Sequence, residues 1–440
     1  MRSIVLALFI FGTIPFILMR PYLGLLVWSW IGYMNPHRLT YGFAYDFPWV
    51  YLIAVVTIIS LAISKEDKRI PKSSVSILLF LFLLWTGLCT IFAVESAAAF
   101  AKWEEFAKIL AMVFVTFMLV KDRKRMHWLV WVIVFSLGFY GLKGGIFTIL
   151  KGGHDHVFGP PGSFISDNNA FALALCMTLP LMRYLQLHEE RKIVRMGLGV
   201  LMIFTGVAIL GTYSRGGLIA LVVVGAALLL KSRKRLLLVL ALLVVGGTAY
   251  HFMPPQWTQR METLHHADKT DSGETRIQSW EFSANVALHK PIFGGGFDVY
   301  ESHAMWRQYG PEDAIPRAVH SIYFRVVGEQ GFVGLFLFLA LLAASWRCCS
   351  RTRRKTRGAP DQKWAYDLAS MLQVTLVAYA TAGAFLPMTY FDLSYQIMAM
   401  CALLEILVSQ PAAAAASGPL RITLNGAKAK ALPSHDAVSG

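Results

Sequence analysis

Apolar runs separated by short basic segments fill most of the chain, and they read as membrane-crossing helices. They occupy residues 74 to 93, 106 to 120, 128 to 150, 169 to 185, 194 to 211, 217 to 230, 236 to 253, 322 to 346, 366 to 386 and 391 to 408. Several fall short of the roughly 20 residues of an ideal span, which loosens their boundaries. Residues 3 to 33 are apolar too, but Pro15 and Arg20-Pro21 interrupt them. We read them as one long tilted helix; with a further run between residue 46 and Lys65 this gives about twelve spans with both chain ends inside, and two shorter helices, giving thirteen, are the alternative. No small-residue cleavage site follows the first run before Arg20, so it is expected to be retained rather than cut as a signal peptide.

The basic residues sit between the runs, in clusters at Lys65 to Lys72, Lys121 to Arg125, His188 to Arg195, Lys231 to Arg235 and, most strongly, Arg347 to Arg357. An even number of runs separates each cluster from the next, so all five can face the cytoplasm at once, as the positive-inside rule requires. Composition agrees: 56% of the 440 residues are hydrophobic and 15% charged, with a mean hydropathy of +0.53. No soluble fold hides that much apolar surface. The net charge of +15 is dispersed among these clusters rather than gathered on one patch, which argues for a membrane and against nucleic acid. The expected fold class is therefore an all-α polytopic membrane protein, with one large, partly helical periplasmic loop.

The chain divides into four parts: N-terminal helices over 1–253, the outer loop 254–320, C-terminal helices over 321–408 and a tail over 409–440. The tail, rich in Ala, Gly, Ser and Pro, is expected to be disordered and cytoplasmic. Smaller outer segments are expected at 34–46, 94–105 and 151–168, and at the tight connection Thr212 to Gly216. Cys89, Cys176 and Cys401 lie within runs, and Cys348 and Cys349 lie beside the strongest basic cluster. With no cysteine in an outer segment, neither a disulfide nor a cysteine metal site is expected. No repeat of fixed period is present.

The outer segments hold the candidate chemistry. The sequence TYSRGG places Arg215 at the membrane edge, where a cation is costly unless it faces a wet cavity or a counter-charge. Snorkelling to the interface is the plainer reading, and the adjacent Gly216 and Gly217 favour close approach of a ligand. In the loop, SGETRIQSWEFSANVALHKPIFGGGF predicts a helix capped by Asp271 or Ser272 and ended at His289-Lys290-Pro291. Ile277, Trp280, Ala284, Ala287 and Leu288 recur at threes and fours and predict its buried stripe. Arg276 lies in the first turn, against the helix dipole, which calls for an anionic partner: a bound anion, or equally Glu274 or Glu281. Gly294-Gly295-Gly296 is a poor phosphate loop, having no GK[ST] after it and no strand before it.

His320, at the start of the next apolar run, is the best general base on this face by its ordinary pKa, although a helix-cap role is common at such a position. His154-Asp155-His156 and His265-His266 lack a third ligand at metal spacing, so no metal site is expected.

Three segments, TYSRGG at 212 to 217, the Arg276 helix with KPIFGGGFDVY, and VHSIYFRVVGEQGFVGL at 319 to 335, together resemble the O-antigen ligase and polymerase superfamily. The resemblance covers about residues 160 to 345. The N-terminal third, with YGLKGGIFTILKGG and GPPGSFISDNNAFALA, resembles a subgroup of O-glycosylation ligases. The superfamily implies glycosyl transfer on the periplasmic face of the bacterial inner membrane, independent of metal and without a cofactor. It implies a glycan donor on undecaprenyl pyrophosphate and a hydroxyl of a lipid A core sugar as acceptor. Its essential arginines fall on Arg215 and Arg276 and its essential histidine on His320. Ser321 stands where many members have Asn.

Those roles are chemically sound. Two guanidiniums can hold the pyrophosphate and stabilise the charge it gathers on leaving, and a neutral His320 can take the acceptor proton. Attack opposite the leaving group inverts the anomeric carbon. Lys143, Asp167, Asn168, Asn169 and Asp392 are second-rank candidates for sugar or phosphate contacts, with capping or polar packing the plainer role for each. An O-glycosylation ligase or a polymerase using the same donor is the near alternative. A lipid or glycan transporter is the distant one, lacking here a repeat and a regular set of intramembrane carboxylates.

Overall fold

A computed structural model describes residues 1–231, 271–312 and 315–410, together with Gly247, Pro254, Pro255 and Trp257. Apart from Gly247, the run 236 to 253 lies outside the described residues, as do His265-His266 and the tail beyond residue 410. Residues 1–408 form one compact unit built from helices.

In order these are α1 (Arg2–Met19), α2 (Pro21–Met34), α3 (Trp49–Ile63), α4 (Ser74–Ile91), α5 (Ser96–Leu119), α6 (Arg123–Leu150), α7 (Asn168–His188) and α8 (Lys192–Gly211). They continue with α9 (Arg215–Lys231), α10 (Asp271–His289), α11 (His303–Tyr309), α12 (Ile322–Thr356), α13 (Lys363–Gly383) and α14 (Asp392–Ser409). Among the described residues, seven are long and apolar enough to cross a membrane, namely α1, α4, α6, α7, α8, α12 and α14. The helices α3 and α9 are apolar but shorter. The chain is a multi-pass membrane protein.

The N-terminal run corrects the expectation of one helix. It is two, because Arg20 adopts an extended backbone (φ −143°, ψ 92°) between them. The Pro21 ring disfavours a helical conformation at Arg20 and starts the next helix, whereas α1 absorbs Pro15 and continues through it. The two helices run in opposite directions. Ser60, near the end of α3, donates to the Ile17 carbonyl at 2.6 Å, and Tyr22 donates to the Arg125 carbonyl at 2.5 Å. At the other end Ser3 donates to the Tyr41 carbonyl. The Met1 end therefore lies with segment 34–46, on the face opposite Arg20 and Arg125, and not on the side expected from the sequence.

Contacts also join the basic clusters. Glu66 pairs with Arg125 at 2.7 Å and with Lys121 at 3.5 Å. His188 meets Asp367 at 3.0 Å, Arg123 lies over the Trp364 ring, and Arg353 donates to Gln373 at 2.8 Å. These four clusters share one face. The helices α7, α9 and α12 each carry a basic cluster at or beyond their C-terminal end and a candidate site residue at or beside their N-terminal end, so the candidate site occupies the opposite face. A helix of 21 residues such as α7 separates the two by roughly 30 Å.

The helix α12 is broken at Gly331, whose backbone (φ 68°, ψ −174°) is left-handed. The glycine turn after α10 docks against this break. Gly295 and Gly296 donate to the carbonyls of Gly328 and Glu329, each at 2.9 Å, and Phe332 donates back to Pro291 at 2.8 Å. Trp85 on α4 caps the Gln330 carbonyl at 3.0 Å. A side chain at Gly331 would collide with the Ile292 carbonyl, and one at Gly294 would stand 2.7 Å from the Glu329 backbone. The triple glycine thus serves backbone-to-backbone docking.

The expected stripe of α10 is also corrected. Ile277 and Leu288 are exposed, and the buried face is Ser279, Phe282, Ser283, Val286 and Ala287. Ser279 and Ser283 return their hydroxyls to carbonyls of their own helix, so they bury without penalty and let Gly328 of α12 approach closely. Phe282 stacks on Trp306 of α11 with centroids 4.3 Å apart.

An impermeant maleimide applied from one side of a sealed membrane should label Arg2→Cys and His303→Cys together and leave Arg354→Cys unlabelled; the native cysteines are buried. Labelling of Arg2→Cys together with Arg354→Cys would contradict the antiparallel α1–α2 pair.

Gly294→Ala combines a left-handed backbone (φ +66°) with the collision described above. It should lower stability by about 2 kcal/mol or more in a thermal melt. Gly12→Ala, with no atom within 4 Å of the added carbon, should leave the melt unchanged or slightly raised. Equal melts for the two variants would refute the docking role.

Candidate active site

The turn before α9 is built by its own polar side chains. Thr212 accepts from the Ser214 amide at 3.2 Å, and Ser214 caps α9 by accepting from the Gly217 amide at 3.0 Å. Tyr213 takes a left-handed conformation (φ 57°) and donates to the Gly153 carbonyl at 2.5 Å. Gly217 lets α9 close on α7: a side chain there would meet Ala172 at 2.6 Å. Arg215 is consequently presented as the first residue of α9, at a fixed place on the face away from the basic clusters.

Arg276 and His320 are gathered by aromatic packing. Trp280, one turn after Arg276, donates to the His320 carbonyl at 3.4 Å and stacks on Phe324 with centroids 5.2 Å apart. Trp280 also meets Phe385, and the α-carbon of Gly216 faces that same Phe385. Arg276 therefore lies close to His320, and the start of α9 lies against the same Phe385 that Trp280 meets. Burial and the nearby Arg276 charge hold the His320 imidazole below its ordinary pKa, and Asp167 partly opposes them. A histidine in that setting is neutral at pH 7 and free to accept a proton.

His320 opens into a cleft of about 400 Å³. One wall comes from Lys102, Glu105, Phe106 and Ile109 of α5 with Phe164 and Asp167; the other comes from Phe297, Asp298, Tyr300 and Glu301 and from Arg325, Pro387 and Tyr390. Among the second-rank candidates, only Asp167 lines this cleft, and it also caps α7, accepting from the Asn169 and Ala170 amides at 2.8 and 3.1 Å. Asn168 is buried and donates to the Thr212 carbonyl at 2.7 Å, and Asn169 donates to Asn168 at 3.1 Å; both brace the Arg215 turn. Asp392 is buried at the start of α14 in a small neighbouring cavity with Gly32 and Tyr33, and Lys143 is exposed on α6.

The floor of the cleft holds residues that sequence reasoning passed over. Arg325 pairs with Asp298 at 2.9 Å and with Glu329 at 3.0 Å, and donates to the Pro387 carbonyl at 3.1 Å. Tyr300 donates to Asp298 at 2.7 Å, and Tyr390 donates to Glu329 at 2.6 Å. The signal was present: an arginine and a glutamate four apart inside an otherwise apolar run are expensive there unless paired. No three of His, Cys, Asp and Glu come together in a metal-holding group among the described residues.

Two families match the chain. Residues 1–190 match a family of unknown function. Residues 200–339 match the family described as O-antigen ligase, a stretch that contains the Arg215 turn, α10, the glycine turn and His320. No curated protein matches the chain. Over residues 200–339 the chain is thus similar to the O-antigen ligase family.

Proposed function

We propose that the protein is an inverting, metal-independent glycan ligase. It transfers O-antigen polysaccharide from undecaprenyl pyrophosphate to a lipid A core sugar hydroxyl, as a step of lipopolysaccharide biosynthesis. The single observation that carries this reading is the placement of His320 at a cleft and beside the Arg276 charge, which together with burial holds its pKa below the ordinary value. The family match narrows the chemistry to lipid-linked glycans. In this reading the basic clusters face the cytoplasm, and α1 and α2 each cross the inner membrane, for thirteen spans with the Met1 end and the cleft in the periplasm.

The donor enters sideways from the lipid with its pyrophosphate on Arg215 and Arg276. The acceptor hydroxyl lies in the cleft against His320. Its oxygen forms the new bond to the anomeric carbon while the carbon–oxygen bond to pyrophosphate breaks on the opposite face. The proton goes to the His320 imidazole, and the bonding pair leaves with undecaprenyl pyrophosphate, whose growing charge the two guanidiniums stabilise. The donor is already activated, so no ATP is consumed. A protein or a growing polysaccharide as acceptor would use the same steps.

His320→Ala should lose roughly 10²- to 10⁴-fold in transfer while still binding donor, and Arg215→Lys and Arg276→Lys should lose transfer through the loss of the bidentate fork. In the parent protein, transfer should fall as pH drops through a midpoint below about 6.5, the ordinary histidine value, because the imidazole is protonated only below its lowered pKa. A stable His320→Ala protein with full transfer, or an acidic midpoint above pH 7, would remove the base from this scheme.

A further inference from the structure

We propose that α5 forms the acceptor's sugar subsite and selects by charge: it takes neutral or amine-bearing sugars and disfavours phosphorylated or acidic ones. The inference rests on the reading of His320 as the base.

Three observations carry it. First, the cleft that His320 opens into is not the arginine site, since neither Arg215 nor Arg276 lines it. If the base removes the acceptor proton, the acceptor sugar must fill that space. A volume of about 400 Å³ lies within the range of small-molecule pockets, roughly 300–1,000 Å³. Second, beside His320 and two tyrosines, the charged groups lining the cleft among the described residues are Lys102 and Arg325 against Glu105, Asp167, Asp298 and Glu301, two cations to four carboxylates. Arg325 is already bound to Asp298 and Glu329 on the floor. The other lining cation, Lys102, is paired with Glu105 at 3.4 Å. An anionic sugar would thus meet a net negative lining, whereas hydroxyl and ammonium groups would find carboxylate acceptors. Third, Phe164 lines the same cleft and is 54% exposed. It offers an apolar surface beside the acids, an arrangement that suits the mixed faces of a sugar ring.

The subsite joins the two matched regions. Glu301 belongs to the O-antigen ligase match, whereas Lys102, Glu105 and Phe164 belong to residues 1–190. Bond-forming residues would then come from one half and acceptor choice from the other.

The test uses the full chain in nanodiscs and two probes, a neutral core oligosaccharide and the same oligosaccharide carrying one phosphate. Binding is measured by calorimetry and transfer by a competition assay with lipid-linked donor. Glu105 and Glu301 are both exposed, so Glu105→Lys and Glu301→Lys should fold normally. The parent should prefer the neutral probe, and the double variant should shift that preference toward the phosphorylated probe by about tenfold, with the shift shrinking in high salt. An unchanged preference in a folded double variant that still transfers glycan would overturn the subsite and leave the ligase reading standing. If no protein transfers glycan, the ligase reading fails, and the calorimetric preference still decides the subsite: a shift supports it and no shift overturns it.

Discussion

A helix interrupted within apolar surroundings leaves carbonyl and amide groups that water cannot reach, and each must find a partner inside the protein. The break in α12 at Gly331 sets that demand, and much of the site is arranged to meet it. The glycine turn supplies amides to Gly328 and Glu329, Trp85 reaches Gln330, and Phe332 is returned to Pro291. The ion network completes the joint, since Asp298 follows the turn while Arg325 and Glu329 precede the break. Opening such a buried pair by removing one partner costs about 3–5 kcal/mol, so the turn and the helix move as one body. His320, five residues before Arg325, inherits that rigidity.

The second constraint is close helix packing without bulky side chains. Gly141 of α6 abuts Thr205 of α8, and Gly211 at the end of α8 abuts Thr148 of α6. Small residues let helices approach where lipid offers no hydrophobic drive for association. The ends of α6, α8 and α9 are therefore pinned near one another, and the short turn that presents Arg215 has little room to move. Asn168 and Tyr213 tie that turn to α7 and to the segment after α6. The cation on α9 and the histidine before α12 thus sit on separately braced supports that converge at Phe385.

Much of this is readable from the chain. The bounds of α10, the shared face of the basic clusters and the nearness of Arg276 to His320 come from periodicity, charge spacing and motif resemblance, which are local or additive signals. The features that escape depend on partners distant in sequence. The stripe of α10 is misplaced because hydrophobicity points to Ile277 and Leu288, whereas Ser279 and Ser283 bury by bonding to their own helix. Pro15 and Pro21 look alike in the sequence, yet only Pro21 ends a helix, because the chain reverses at Arg20 while α1 continues through Pro15. Arg325 and Glu329 look like costs within a span until Asp298, Tyr300 and Tyr390 complete their shell. The wall of the cleft formed by α5 lies some 200 residues from His320 in sequence, and no periodicity relates them.

The central claim is direct transfer of a pre-activated glycan in the cleft at His320. It is tested most directly by incubating the purified protein with an undecaprenyl-pyrophosphate glycan of known anomeric configuration and lipid A core, without ATP and with a metal chelator present. The account predicts a joined glycolipid whose new linkage, read by NMR, has the opposite anomeric configuration to the donor, with undecaprenyl pyrophosphate released in equal amount. A product with the donor's configuration retained, or a product formed only when nucleotide or metal is restored, would contradict it.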